Sequence, residues 1–388
     1  MHLHVTRGGQ QAAEEAGLLM IANGITSALN MGSTFQIDIP GLGNRFEAGE
    51  LIGPTFYVGQ VAYGQNDNSS AEHTVRSARQ ATEYAERLST GGYDFIKFYW
   101  QLLPSVIHQF FVESDRLGLP VVGHIPMTQP MRNSLAGGQQ MAAHIQEPFV
   151  TQMNSVRDEH LLPATANMLL DNGTYLTPTL AVFESYVLVS GHHQQNYDEL
   201  IHREGEQYTA QSIKDGWMAY FNGAGVRNGD QPDLLELLEF YYKMTKFFFD
   251  AGVPLLTGTD APGFPGVMSG FGVHEELRLL NETGIPPPEV FAIASRNAGQ
   301  FIDDTLAPEV SFGTIETGNR ADLILLTANP LESLENLKRP LAVISRGRFW
   351  SQSFLQTQLD ALQLSIKNRV ESGQLIKNEE YLEFCADH

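Results

Sequence analysis

The chain has 388 residues, and its 24 Lys and Arg against 45 Asp and Glu give a formal net charge of −21. This charge disfavours binding to a nucleic-acid backbone or to an anionic membrane surface, and no run reaches the ~20 apolar residues of a membrane span. The length suffices for a barrel of about 250 residues with an accessory domain. The single cysteine, Cys385, excludes an intrachain disulfide and a cysteine metal site.

Strand-like and helix-like runs alternate along the chain, as a parallel α/β architecture requires. The predicted strands span residues 25–29, 55–61, 95–99, 119–122, 141–144, 175–180 and 255–259. The predicted helices span residues 11–22, 71–88, 106–117, 131–136, 164–170 and 288–301. This alternation is typical of a (β/α)8 barrel.

A long insertion interrupts the alternation between residues 181 and 245, where barrel loops usually have about 2–6 residues. Its charges and aromatic residues predict helices over the barrel mouth, either as a lid or substrate wall or as a plain structural elaboration. Segment 312–349 predicts three short strands, and 353–368 an amphipathic helix before an acidic tail. The predicted domains are therefore a barrel at 1–304, a small β-domain at 305–350, and a C-terminal helix and tail at 351–388.

The chain opens with a histidine pair, His2-Leu3-His4. Side chains alternate along a strand with period two, so both imidazoles point to the same side and can hold one ion. On its own, such a pair is more readily explained by chance than by metal binding. Its weight comes from the polar residues that follow it along the chain.

Four further polar residues lie just after short apolar runs, where parallel strands end: Lys97, His124, His144 and Asp260. In a barrel of alternating strands and helices those ends face one mouth, where such enzymes keep their chemistry. Each residue has a simpler explanation, because a strand-end lysine can face solvent, a lone histidine is often a core residue, and an aspartate can cap a turn. The whole set in this order predicts a metal-dependent hydrolase.

The sequence resembles the amidohydrolase superfamily, and within it the branch of imidazolonepropionase-like and Xaa-Pro dipeptidase-like enzymes. The resemblance covers nearly all of the chain up to about Trp350. Besides the six polar residues, it rests on runs at 23–27 (Asn-Gly-Ile-Thr-Ser), 48–54 (Ala-Gly-Glu-Leu-Ile-Gly-Pro), 177–180 (Thr-Pro-Thr-Leu) and, most specifically, 313–326 with Asn329-Pro330-Leu331.

The resemblance implies a TIM-like barrel that lacks most of its first strand, because in the family the histidine pair ends that strand. Segment 312–349 would be a remnant of a small β-sandwich. We therefore expect an N-terminally truncated chain in which strands 2 and 8 have unpaired edges and the histidine pair is mobile. Such a chain would be poorly soluble or nearly inactive. Any export signal would have been lost, so its cellular location is left open.

The resemblance also implies two divalent ions, held by His2, His4, Lys97, His124, His144 and Asp260. A free lysine amine, with a pKa of about 10.4, would repel the ions, so Lys97 would react with carbon dioxide to form a bridging carbamate. Asp260 would bind the first ion and act as general acid and base for a bridging hydroxide. Nitrogen and oxygen ligands of this kind suit zinc, while manganese, cobalt and iron stay open.

The implied reaction is hydrolysis of an amide or peptide bond in a small molecule, such as an N-acyl amino acid or an Xaa-Pro dipeptide. The alternatives are ester, lactone or phosphotriester hydrolysis at the same site, and a truncated homologue without activity. Tyr99 is a weaker candidate for contact with an oxyanion or a substrate carboxylate. His274 either lines the pocket or caps a helix. Assembly into a homo-oligomer is left open.

Overall fold

The structure is a computed structural model that describes residues 2–32, 34–65, 67, 71–223 and 231–373. Cys385 and the acidic tail lie outside the described residues. The strands are β1 (His2–Leu3), β2 (Ser27–Asn30), β3 (Thr55–Ala62), β4 (Phe95–Phe98), β5 (Val121–Gly123), β6 (Gln139–Ala143), β7 (Tyr175–Thr177), β8 (Gly258–Ala261), β9 (Leu323–Leu325), β10 (Ala342–Ser345) and β11 (Arg348–Ser351).

The helices cover both the barrel and the insertion. They are α1 (Gly9–Ala22), α2 (Ile39–Ala48), α3 (Ala78–Thr90), α4 (Pro104–Leu117), α5 (Met131–Ala136), α6 (Gln146–Thr151), α7 (Leu162–Asp171), α8 (Leu180–Val189), α9 (Gln194–Ile201), α10 (Gln211–Asn222), α11 (Gln231–Asp250), α12 (Gly272–Glu282), α13 (Pro287–Ala294), α14 (Arg296–Thr305) and α15 (Gln352–Glu371). None of the helices in the described ranges is long and apolar enough to cross a membrane.

The first eight strands form one parallel sheet in the order β7-β6-β5-β4-β3-β2-β1-β8. The sheet closes through hydrogen bonds between Leu176 of β7 and the segment before β8. Leu176 N donates to Pro254 O at 3.0 Å, and Leu256 N donates to Leu176 O at 2.9 Å. Seven of the eight residues of β3 are buried, as expected for strands covered on both faces. The predicted α/β barrel is confirmed.

The two-residue strand β1 lies between β2 and β8 and pairs with both, since His2 is in register with Leu29 on one side and Gly258 on the other. The chain continues this pairing, because His4 N donates to Ala261 O at 2.7 Å. Leu3 is 1% exposed in the core. The expectation of unpaired edges on strands 2 and 8 is therefore wrong at the end of the barrel where the histidines lie. There, two residues suffice to bridge both neighbours.

Several boundaries differ from the predicted ones for local reasons. Helix α3 begins at Ala78 rather than at 71, because Ser77 caps it by accepting a hydrogen bond from Gln80 N. The helix predicted at 288–301 is two helices, since Ser295 departs from helical geometry with φ −121° and ψ −77°. Strand β8 spans Gly258–Ala261 rather than residues 255–259, so Asp260 lies inside the strand and not after it.

The insertion consists of helices α8 to α11 and is attached to the barrel by specific contacts. The Glu184 carboxylate of α8 lies 2.8 Å from Arg203 and 2.7 Å from Arg278 of α12. Trp217 of α10 is fully buried and donates its indole N–H to Pro262 O, just after β8. The insertion is thus packed onto the mouth side of the barrel.

Strands β9 to β11 form a small antiparallel sheet in the order β11-β10-β9. Val343 is in register with Ile324 and Trp350, and this face packs on α1 and α15 through Ile21 and Leu355. On the other face, Leu325 and Phe349 are 53% and 64% exposed. This sheet corresponds to the β-sandwich remnant that the resemblance implied.

Leu3→Ala should lower the free energy of unfolding of the metal-stripped protein by about 2–5 kcal/mol, because it removes a buried side chain from β1. The matched control is Leu364→Ala on α15, whose side chain is 59% exposed and whose loss should cost no more than about 0.5 kcal/mol. Chemical denaturation followed by far-UV circular dichroism measures both. Equal effects of the two substitutions would show that β1 is not part of the stable barrel.

Candidate metal centre

Three of the predicted ligands meet where β1 and β8 lie side by side. Nε2 of His2 is 3.1 Å and Nε2 of His4 is 3.2 Å from the same oxygen, Oδ1 of Asp260. One ligand atom from each residue lies within 4.8 Å of the others, and all three residues are buried. Pairing of β1 with β8 therefore creates a group that can hold a metal ion.

Lys97 of β4 points into the same centre from across the barrel. Its Nζ lies 3.1 Å from Nε2 of His4, and the residue is 2% exposed. The alternative that Lys97 faces solvent at a strand end is wrong. Burying a charged amine at this depth is energetically costly unless other groups compensate the charge.

His124 and His144 complete the group from the neighbouring strands β5 and β6. The ring of His144 lies 5.0 Å from the ring of His2 and 5.0 Å from the ring of His124, measured between centroids. Both residues are almost fully buried. The structure thus brings all six predicted ligands together at the carboxyl ends of the strands.

Three of the histidines use Nδ1 for a contact outside the centre. The acceptors are the backbone oxygen of Gly32 for His4 at 3.3 Å, the carboxylate of Glu147 for His124 at 2.7 Å, and the hydroxyl of Thr179 for His144 at 2.5 Å. Such contacts fix the ring orientation and leave Nε2 available to a metal ion.

Glu147 is a residue of this site that the sequence analysis missed. Its buried carboxylate accepts hydrogen bonds from three groups, the imidazole of His124, the indole N–H of Trp100 at 3.0 Å and the backbone N–H of Ile125 at 2.9 Å. Burial raises the pKa of Glu147 to about 7, whereas hydrogen bonds from Trp100 and Ile125 favour the charged form. Its position three residues after His144 carries no recognisable motif.

The electrostatics of the centre suit a divalent cation. Burial lowers the pKa of His2 to about 3 and those of His124 and His144 well below the usual range, so these imidazoles carry free lone pairs. Burial opposes the charge of Asp260, but His4 and His2 hold the pKa of its carboxyl well below the usual range. Neutral imidazoles around a carboxylate form a nitrogen and oxygen donor set of the kind that zinc prefers.

Unsatisfied atoms at the centre also fit a bound ion. Among the described residues, His2 Nε2 and Asp260 Oδ1 are buried without a correctly aligned hydrogen-bond partner, although they lie 3.1 Å apart. Burying such atoms is costly unless something coordinates them. Asp260 also has a left-handed backbone, with φ 54°, which is a strained conformation typical of functional sites. The residues present therefore fit a metal ion.

A comparison with known families agrees with this geometry. The family described as "Amidohydrolase family" matches residues 2–349, which include all six predicted ligands. The chain belongs to the amidohydrolase family. The resemblance to the amidohydrolase superfamily is thereby confirmed.

Individual relatives of this amidohydrolase share limited sequence identity with it or match only part of the chain. Ochratoxinase of Aspergillus niger is 31% identical over 149 residues, which are 37% of this chain and 28% of the relative. Among solved structures, a bottromycin amidohydrolase has a TM-score of 0.72 at 19% identity, covering 94% of this chain and 78% of its own. An Xaa-Pro dipeptidase with bound methionine in its active site has a TM-score of 0.66 at 16% identity, covering 90% and 85%. At these identities the two structures show a shared fold.

The two candidate substrate residues lie in different places. The ring of Tyr99 packs edge-on against His124 at 4.5 Å between centroids, beside the candidate metal centre. His274 instead hydrogen-bonds Asn23 Oδ1 at 3.0 Å and lines a separate cavity of about 610 Å³ with Tyr208 and Phe271. Burial lowers the pKa of His274 to about 4. The structure therefore does not bring His274 together with the six predicted ligands.

Glu147→Gln should weaken metal binding at the His124 position by about 10–100-fold, the usual effect of losing the residue that orients a ligand. Glutamine has one acceptor oxygen, so it cannot serve the donors on both carboxylate oxygens. Glu159→Gln, at an exposed carboxylate paired with Lys243, is the matched control. Competitive zinc titration with a chromophoric chelator measures both proteins, and equal affinities would rule out this role.

Proposed function

We propose that this amidohydrolase cleaves the amide or peptide C–N bond of a small molecule, such as an N-acyl amino acid or an Xaa-Pro dipeptide. The convergence of His2, His4 and Asp260 on one point, with Lys97 in contact, carries the proposal. The family match supports it. So do the names of the structural neighbours, which include an amidohydrolase and a dipeptidase.

Two divalent ions, zinc in our proposal, would be held by six side chains. His2, His4 and Asp260 would hold the first ion, and His124 and His144 the second, with Lys97 between them. Ions of this kind, when bound, lower the pKa of a water from 15.7 to about 7 and polarise a carbonyl oxygen. The remaining chemistry belongs to the protein's own residues.

Lys97 would take part as a carbamate. As an ammonium ion, its buried side chain would add positive charge beside two cations. When the neutral Nζ forms a bond to the carbon of carbon dioxide, it loses a proton to solvent, and the product is an anion with two oxygen atoms. Such an anion would supply a second anionic oxygen ligand beside the four imidazoles and the Asp260 carboxylate.

Asp260 would move the proton during the reaction. As a carboxylate, it would accept a proton from the attacking water. It would then deliver that proton to the departing nitrogen, since an amine leaves far more readily than an amide anion. His2 and His4, which contact Oδ1, would hold the carboxylate in the orientation that both transfers need.

The runner-up is hydrolysis of an ester, lactone or phosphotriester, because the same centre can attack each of these groups. The leaving group separates the two proposals. An activated ester releases a stable anion and depends little on protonation by Asp260, whereas an amide depends on it fully. Comparing a dipeptide or acylated amino acid with an activated ester therefore tests which substrate the site is suited to.

Lys97→Ala should lose at least one of two divalent ions per chain, because the bridging anion is removed. Elemental analysis of purified protein measures this, with Lys243→Ala at an exposed lysine as the control. In the parent protein stripped of metal at low pH, bicarbonate should increase reloading by zinc. Full occupancy in Lys97→Ala would contradict the carbamate.

Asp260→Asn should leave the fold intact and reduce amide turnover by about 10²–10⁴-fold, because an amide side chain cannot accept and return the proton. Turnover of an activated ester should fall much less. Rates are compared at equal metal content, determined for each preparation. An Asp260→Asn protein that keeps more than a tenth of the parent amidase rate would show that another residue carries the proton.

A further inference from the structure

The turn between β7 and α8 has a strained residue next to the metal centre. Thr179 has φ 52° and ψ 47°, the left-handed conformation that a β-branched residue rarely adopts. Such conformations cost about 1–3 kcal/mol and persist only where surrounding contacts hold them. Thr179 is fully buried, and its hydroxyl contacts His144.

The hydroxyl of Thr179 has one proton, and its direction determines the tautomer of His144. The hydroxyl donates to Pro178 O at 2.8 Å. With the hydroxyl proton on Pro178 O, the hydroxyl oxygen is an acceptor for Nδ1 of His144, 2.5 Å away, and this arrangement places the imidazole proton on Nδ1. Nε2 of His144 is then a free lone pair on the side of the metal centre.

Thr179 occupies the N-cap position of α8, but its side chain does not cap that helix. Threonine at this position usually accepts a hydrogen bond from the first turn of its own helix. Here the acceptor for the first turn of α8 comes from another helix. Ala181 N donates to Oε2 of Glu276 on α12 at 2.9 Å. The capping by Glu276 leaves the Thr179 hydroxyl available to His144.

Glu276 is unusual because its carboxyl group is completely buried at this helix end. Burial raises the pKa of Glu276 to about 8, and the backbone N–H groups of Ala181, Leu180 and Thr179 oppose that rise. A partial positive charge at the start of α8 attracts the carboxyl oxygens. A solvent-exposed aspartate or serine cap would give the helix the same support without the cost of burial.

We propose that Glu276 is a positioning residue for His144. It holds the left-handed turn at Thr179 from α12, so that the Thr179 hydroxyl sets the His144 tautomer that presents Nε2 to the metal. This role rests on the proposed function for its use in catalysis. The hydrogen-bond relay itself can be tested in protein stripped of metal and free of substrate.

The test uses four variants and one matched control, all in the full chain. Thr179→Val removes the hydroxyl at nearly constant shape, whereas Thr179→Ser keeps the hydroxyl and removes the methyl group. Glu276→Asp withdraws the carboxyl from Ala181 N by one methylene, while Glu276→Gln keeps the reach and one acceptor. Glu184→Gln is the matched control, because it loosens the contact between α8 and α12 away from the turn.

The first readout is the nitrogen NMR spectrum of ¹⁵N-histidine-labelled, metal-free protein, with the His144 signals assigned from His144→Gln. The parent protein, Thr179→Ser, Glu276→Gln and the control should show a protonated Nδ1. Thr179→Val and Glu276→Asp should show a mixture of tautomers. The second readout is zinc affinity, which should fall about 10–100-fold in the latter two variants and change less than threefold in the others.

The double variant Thr179→Val/Glu276→Asp should bind zinc no more weakly than Thr179→Val alone, because both changes break one relay. Unchanged tautomer and affinity in Glu276→Asp, or additive losses in the double variant, would overturn the proposal. If Glu276→Asp failed to fold, an unchanged His144 tautomer in Thr179→Val would still overturn it. Loss of the relay with no amidase activity in any protein would instead count against the proposed function.

Discussion

The structure depends on one pairing, that of β1 between β2 and β8. Parallel strands in a closed sheet present all their carboxyl ends at one mouth, but only hydrogen bonding on both sides of His2 and Leu3 brings the first histidine pair against Asp260. Lys97, His124 and His144 then approach from the opposite wall. Six side chains that are far apart in sequence thereby surround a space small enough for metal ions.

A cluster of buried imidazoles and one carboxylate is unstable unless each member has a partner. Most of those partners lie outside the cluster, where Gly32, Glu147 and Thr179 each contact one Nδ1 atom. Their own hydrogen bonds extend further, to Trp100 and Ile125 in one case. The candidate centre is thus held by surrounding contacts, of which Glu147 and Thr179 are as deeply buried as the predicted ligands.

The sequence was sufficient for the barrel and for the expectation that the six predicted ligands lie at one mouth, because strand ends in a parallel sheet are marked by apolar runs. It was insufficient for Glu147, Thr179 as a partner of His144, and Glu276, whose contacts arise from helices that pack together only in the folded chain. Periodicity also missed the break at Ser295, where two apolar helical stretches join without a proline or glycine. Polar groups that act through tertiary contacts leave no repeating pattern in one sequence.

The exposed face of the small sheet has a consequence for the behaviour of the protein in solution. Leu325 and Phe349 form an apolar surface on a chain with a formal net charge of −21. At low ionic strength, mutual repulsion between copies keeps these faces apart, and at 0.1 M salt that repulsion extends only about 10 Å. Salt that screens the acidic surface leaves the attraction between apolar faces intact. We therefore expect association of copies through this sheet to increase with ionic strength even while each chain stays folded.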